Sequence, residues 1–90
     1  MKLFLIHTGF YDKKISSGIF EFHTNSFIVA ENHIKAKEKI LNKSEYKKRN
    51  MHIDGIIEIN NIDGFKVDLI KTVKNEDIKY YGHNEIKKNK

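Results

Sequence analysis

Gly55-Ile56-Ile57-Glu58-Ile59-Asn60-Asn61-Ile62-Asp63-Gly64-Phe65-Lys66-Val67-Asp68-Leu69-Ile70 is the stretch that decides the fold class. Two strand-like runs flank Asn61-Ile62-Asp63-Gly64, and Asp-Gly supplies the positive φ that a tight hairpin requires. After the turn Phe65, Val67 and Leu69 point one way, with Lys66 and Asp68 the other, which is the period of a strand with one covered face. An antiparallel pair follows, and a hairpin alone is marginal in water, so further strands must lie upstream.

Upstream, residues 2–8 place Leu3 and Leu5 on one face and Phe4 and Ile6 on the other. A strand apolar on both faces belongs in the middle of a sheet covered on both sides. Residues from Gly9 to Gly18 read as a loop rich in turn formers and charge. Ile19-Phe20-Glu21-Phe22-His23 and Phe27-Ile28-Val29-Ala30 read as extended, interrupted at Thr24-Asn25-Ser26 by a turn or bulge. From Glu31 the composition changes to helix formers, with Asn32 as N-cap and a thin apolar stripe of Ile34, Ile40 and Leu41. Downstream, Ile78-Lys79-Tyr80-Tyr81 is a further strand candidate, and residues 85–90 look like a frayed polar end. The expected fold is therefore α+β: a four- to five-stranded, mostly antiparallel sheet with one helix, about 32–47, packed on one face. It forms a single domain over residues 1–73, and residues 74–90 are a basic C-terminal extension carrying an edge strand and then a disordered end.

The chain has 90 residues, with 39% hydrophobic and 32% charged side chains, and neither cysteine nor proline. That composition suits one small folded domain and excludes a disulfide scaffold, a thiolate nucleophile and a cysteine-rich zinc site. No apolar run reaches the ~20 residues of a membrane span, and no signal peptide is present, so a cytoplasmic protein without a membrane partner is expected. The net charge of +5 is uneven: residues 31–50 hold seven Lys or Arg against three Asp or Glu, and residues 51–70 hold one against four. Lys35, Lys39, Lys43 and Lys47 are the candidate contacts for nucleic acid. A solvated helix face explains them more simply, because interleaved aromatics and the glycine-rich or zinc signatures of nucleic-acid modules are missing.

His52 and Asp54 stand two apart on an extended segment, so both side chains leave one face, with Ile53, Ile57 and Ile59 expected on the other. Glu21 and His23 stand in the same relation. On neighbouring strands, two imidazoles and two carboxylates would converge as a ligand set for zinc or another divalent ion, or as a histidine base oriented by a carboxylate. His7 is placed to join them. The competing interpretation is structural, with Asp54 capping a turn, His52 bonded to it and Glu21 facing water. His33 and His83 stand apart from this group.

The opening Lys2-Leu3-Phe4-Leu5-Ile6 with Gly9, then Phe20-Glu21-Phe22-His23, Phe27-Ile28-Val29, His52-Ile53-Asp54-Gly55 and Ile62-Asp63-Gly64-Phe65-Lys66-Val67 occur in an order that resembles the bacterial domain of unknown function 1543 family. The resemblance spans roughly residues 1–70, and its most specific part is the spaced pair of His-Ile-Asp-Gly and Asp-Gly-Phe motifs. Phe10 and Thr24 stand where the family pattern has a glycine and an aspartate. The resemblance implies a shared fold and a bacterial cytosolic source, and brings no activity with it.

The leading functional expectation is a non-catalytic binding or assembly domain acting as a homo-oligomer, a dimer or higher. One helix with a thin stripe cannot cover a sheet whose first strand is apolar on both faces, so a second copy is expected to supply the cover. A metal-binding or hydrolytic site at His23, His52 and Asp54, with Glu21, is one alternative. Nucleic-acid binding through the lysine-rich helix is the other. No particular cofactor is implied.

Overall fold

The structure is a computed structural model that describes residues 1–48, 50–73 and 79–88. Its elements, in chain order, are β1 (Lys2–Tyr11), α1 (Lys13–Ser16), β2 (Glu21–Ala30), α2 (His33–Leu41), α3 (Ser44–Lys48), β3 (His52–Ile59), β4 (Asn61–Ile62), β5 (Phe65–Lys66) and α4 (His83–Lys88). The fold is α+β. Its main sheet is antiparallel with order β2-β1-β3, and β4 and β5 form a separate two-stranded sheet.

The doubly apolar strand is the central one. Phe4, Ile6, Thr8 and Phe10 point to the covered face of β1 and are buried there. Phe4 and Ile6 join Ile28 and Ala30 of β2 and Ala36 and Ile40 of α2 in one core cluster, with Leu41, Tyr46, Ile53 and Ile56 packed against it. Burial of side chains the size of Phe4 or Ile6 contributes about 1.5–3 kcal/mol each, which makes this small cluster the main source of stability. The Asn32 side chain caps α2 by accepting from the Lys35 backbone N–H at 2.9 Å, and so satisfies one orphan donor of the helix start.

Several expectations change. The sheet is not one of four or five strands: β3 pairs with β1 only up to Ile59, opposite Leu3, and the chain beyond it turns into the separate β4–β5 ribbon. Asp63 and Gly64 both have positive φ, 54° and 83°, the pattern of a two-residue type I′ turn. The strand expected through Leu69 stops at Lys66 because no further strand pairs with it. One helix over 32–47 becomes two, α2 and α3, and Ile34 is 58% exposed while Ala36 takes its place in the core. The expected loop after Gly9 begins later, since β1 continues to Tyr11 and α1 follows. The break at Thr24-Asn25-Ser26 is absent: β2 runs unbroken, and those polar side chains are accommodated by cross-strand bonds to β1. Lys79 to Tyr81 are not strand and residues 83–88 are helical; Ile78, Arg49, Asn89 and Lys90 lie outside the described residues. Among the described residues no helix is long and apolar enough to cross a membrane.

Candidate metal centre

Antiparallel pairing puts directly opposed residues on the same face of a sheet. Gly9 of β1 is opposed on one side by His23 of β2 and on the other by His52 of β3. The two histidines are therefore not on adjacent strands, as expected from the sequence, but on the two strands flanking β1, about 10 Å apart in backbone. They meet because the residue between them has no side chain. A Cβ built on Gly9 would overlap Glu21 Oε1 and lie 2.7 Å from His52 Nε2 and 3.0 Å from Asp54 Oδ2. Gly9 is the floor of the site.

Asp54 arrives there through a β-bulge. His7 pairs with Gly55 and Thr8 with Ile53, leaving Asp54 as the extra residue of β3. Such an insertion re-aims a side chain. It also resets the alternation beyond it: Ile56 opposes Ile6 on the core side, while Ile57 and Ile59 oppose Leu5 and Leu3 on the open side. Ile57 and Ile59 thus share the face of His52 and Asp54, contrary to the simple two-residue period.

The side chains form a closed ring over Gly9. His52 Nε2 lies 3.0 Å from Glu21 Oε1 and 3.1 Å from Asp54 Oδ1. His23 faces the same two carboxylates, Nδ1 at 3.2 Å from Asp54 Oδ2 and Nε2 at 3.5 Å from Glu21 Oε1. His7 stacks on His23 with ring centroids 4.8 Å apart, and its Nε2 is 4.0 Å from Asp54 Oδ2. Glu21, His23, His52 and Asp54 all belong to the ring; the structure adds His7, Tyr11 and Asn25. The ring side chains are 29–47% exposed, so the site lies on an open sheet face.

Two outer contacts orient the donors. His7 Nδ1 donates to Asn25 Oδ1 at 2.8 Å; the amide oxygen only accepts, so Nε2 is left with its lone pair toward Asp54. Tyr11 donates its hydroxyl to Glu21 Oε2 at 3.1 Å, leaving Oε1 for the ring. The hydrogen bond to Glu21, and then the charge of that carboxylate, hold the Tyr11 phenol above its ordinary pKa. Ligating histidines and carboxylates are commonly oriented in this way by a second layer of hydrogen bonds. The sequence shows the pattern as His7-x-Gly9-x-Tyr11 and Glu21-x-His23-x-Asn25, two period-two runs in register.

A proton and a cation fit this ring differently. One N–H on His52 cannot point straight at two carboxylate oxygens at once, and a lone pair on His7 facing a carboxylate is repulsive. A divalent ion with ligands at about 2.0–2.2 Å has neighbouring donors about 2.9–3.6 Å apart, and four of the ring contacts fall in that range. Two triads, His7-His23-Asp54 and Glu21-His52-Asp54, each have their ligand atoms within 4.8 Å of one another and share Asp54. Imidazole nitrogens with carboxylate oxygens suit zinc best among common ions.

The lysine candidates are arranged otherwise. Lys35 pairs with Glu38 at 3.4 Å, and Lys39 donates to the Val29 carbonyl. Lys43 lines a small cavity with Thr8, Thr24 and Tyr46. Two of the four are thus committed to contacts within the domain, and Lys47 stands on α3, a separate helix.

An α+β domain with a histidine–carboxylate ring on an open sheet face is the class that fold and site define. Residues 18–69, more than half of the chain, match the family described as Domain of Unknown Function (DUF1543), and the chain belongs to that family. The matched span contains Glu21, His23, His52 and Asp54. No curated protein and no solved structure matches the chain.

Proposed function

We propose that this is a metal-binding domain that holds one divalent transition-metal ion, zinc by preference, through His23, His52, Glu21 and Asp54, with His7 as a further donor. The observation that carries the reading is the closed ring of four contacts between 3.0 and 3.5 Å above a glycine whose Cβ would obstruct it. Two carboxylates cancel the charge of a divalent cation, and the hydrogen bonds from Tyr11 and to Asn25 keep the donor atoms aimed inward. The role proposed is binding rather than turnover, since a reaction centre needs a pocket for its substrate around it and this ring stands on an open face.

Untagged protein stripped with chelator and titrated with zinc in a calorimeter tests this. About one equivalent is expected, with heat that varies with the ionisation enthalpy of the buffer as ligands lose protons. His52→Ala abolishes the signal, and Lys35→Ala, on the far helix, leaves it intact. Wild-type protein taking up no zinc, nickel or manganese overturns the reading.

A further inference from the structure

The open face has two halves. Beside the ring, Leu3 and Leu5 of β1, Phe27 and Val29 of β2, and Ile57 and Ile59 of β3 form a continuous apolar patch, with Phe27 67% and Ile57 57% exposed. No helix covers it, because α2 packs on the opposite face. The second uncovered apolar surface is on the chain's own C-terminal arm, residues 60–73: Phe65 is 76%, Ile70 83% and Val73 99% exposed. The Cα radius of gyration is 16.4 Å, against about 12 Å for a compact chain of this length. The arm stands away from the domain that should bury it.

We infer that two copies exchange these arms, each laying the β4–β5 hairpin and residues 67–73 across the apolar half of the other's open face. Three observations choose the occupant. The arm and the face are both too apolar to remain in water, and one chain presents one of each, so reciprocal exchange satisfies both and closes as a twofold dimer. The hairpin is a two-stranded ribbon without a sheet beneath it, a structure that is marginal alone and stable when packed on another surface. A groove of about 520 Å3 already separates Leu69, Ile70 and Lys71 of the arm from Met1 and Val29 at the rim of the face, the width of side chains that the single chain does not supply. This inference does not depend on the metal reading, although the exchanged arm would also flank the ring, since Leu5 and Phe27 adjoin His7 and Asn25 along the same strands.

Sedimentation velocity at about 20 μM, compared with two variants, decides it. Wild-type protein is expected at twice its 10.6 kDa mass. Phe27→Asp on the face and Phe65→Asp on the arm each raise the dimer dissociation constant at least about a hundredfold, as charged insertions at an apolar interface centre do. Both positions are exposed in the single chain, so circular dichroism is unchanged. An equimolar mixture of the two variants recovers dimer, because the intact arm of one meets the intact face of the other. A monomeric wild-type chain overturns the inference. A dimer broken by Phe27→Asp but indifferent to Phe65→Asp overturns the exchange as well, since two faces would then be stacked directly.

Discussion

Excess zinc raises the melting temperature of the chelator-stripped domain by more than ten degrees, and leaves Asp54→Ala where it started. A ligand that binds only the native state at a hundred times its dissociation constant stabilises it by about 2.7 kcal/mol. In a domain of this size each kcal/mol is worth about 4–8 °C. Asp54 is the sensitive position because it belongs to both triads and reaches His52 with one oxygen and His23 with the other. Its removal opens the ring at two places. The same substitution is mild for the stripped protein, since Asp54 is the extra residue of a bulge and its side chain is one-third exposed. A purely structural ring gives the reverse result: Asp54→Ala lowers the melting temperature without metal, and zinc moves neither protein. Thermal scans with and without zinc separate the two.

The sequence exposes those features that depend on neighbours along the chain. Phe4 and Ile6 alternating with Leu3 and Leu5 mark a central strand, and the chain places β1 between β2 and β3. Asp63-Gly64 marks the turn, and both residues take the φ > 0 it demands. The two-residue spacings of Glu21 with His23 and His52 with Asp54 identify polar side chains that leave a strand together.

What depends on pairing is not written locally. The bulge at Asp54 adds one residue against β1, and only the register reveals that Ile57 and Ile59 return to the open side. Alternation through Leu69 expresses a preference for strand, but a strand needs a partner, and β5 loses its own after Lys66. Gly9 looks like the start of a loop because glycine ends strands more often than it floors a site. Its meaning appears only when His23 and His52 are seen to oppose it from both sides.

That glycine yields the sharpest separation of site from fold. Gly9→Ala leaves the stripped domain as stable as before or slightly more so, and weakens zinc binding by on the order of a hundredfold. Gly9 has no positive φ, so alanine fits its backbone and gains the usual ~0.4–1 kcal/mol from a less flexible unfolded chain. The new methyl collides with Glu21 Oε1, His52 Nε2 and Asp54 Oδ2, all ends of exposed side chains that can swing into water. Swinging costs the fold little, yet it displaces three donors from one ion, and a site about 1 Å too loose loses most of its affinity. Gly55→Ala is the matched control. Gly55 lies beside Asp54 on the same strand, but a Cβ there meets nothing within 4 Å, so zinc affinity stays at the wild-type value. Calorimetric titration of the three proteins, with their melting temperatures in chelator, reads both quantities. Gly9→Ala binding zinc as tightly as the wild type would show that the ring over β1 is not what holds the ion.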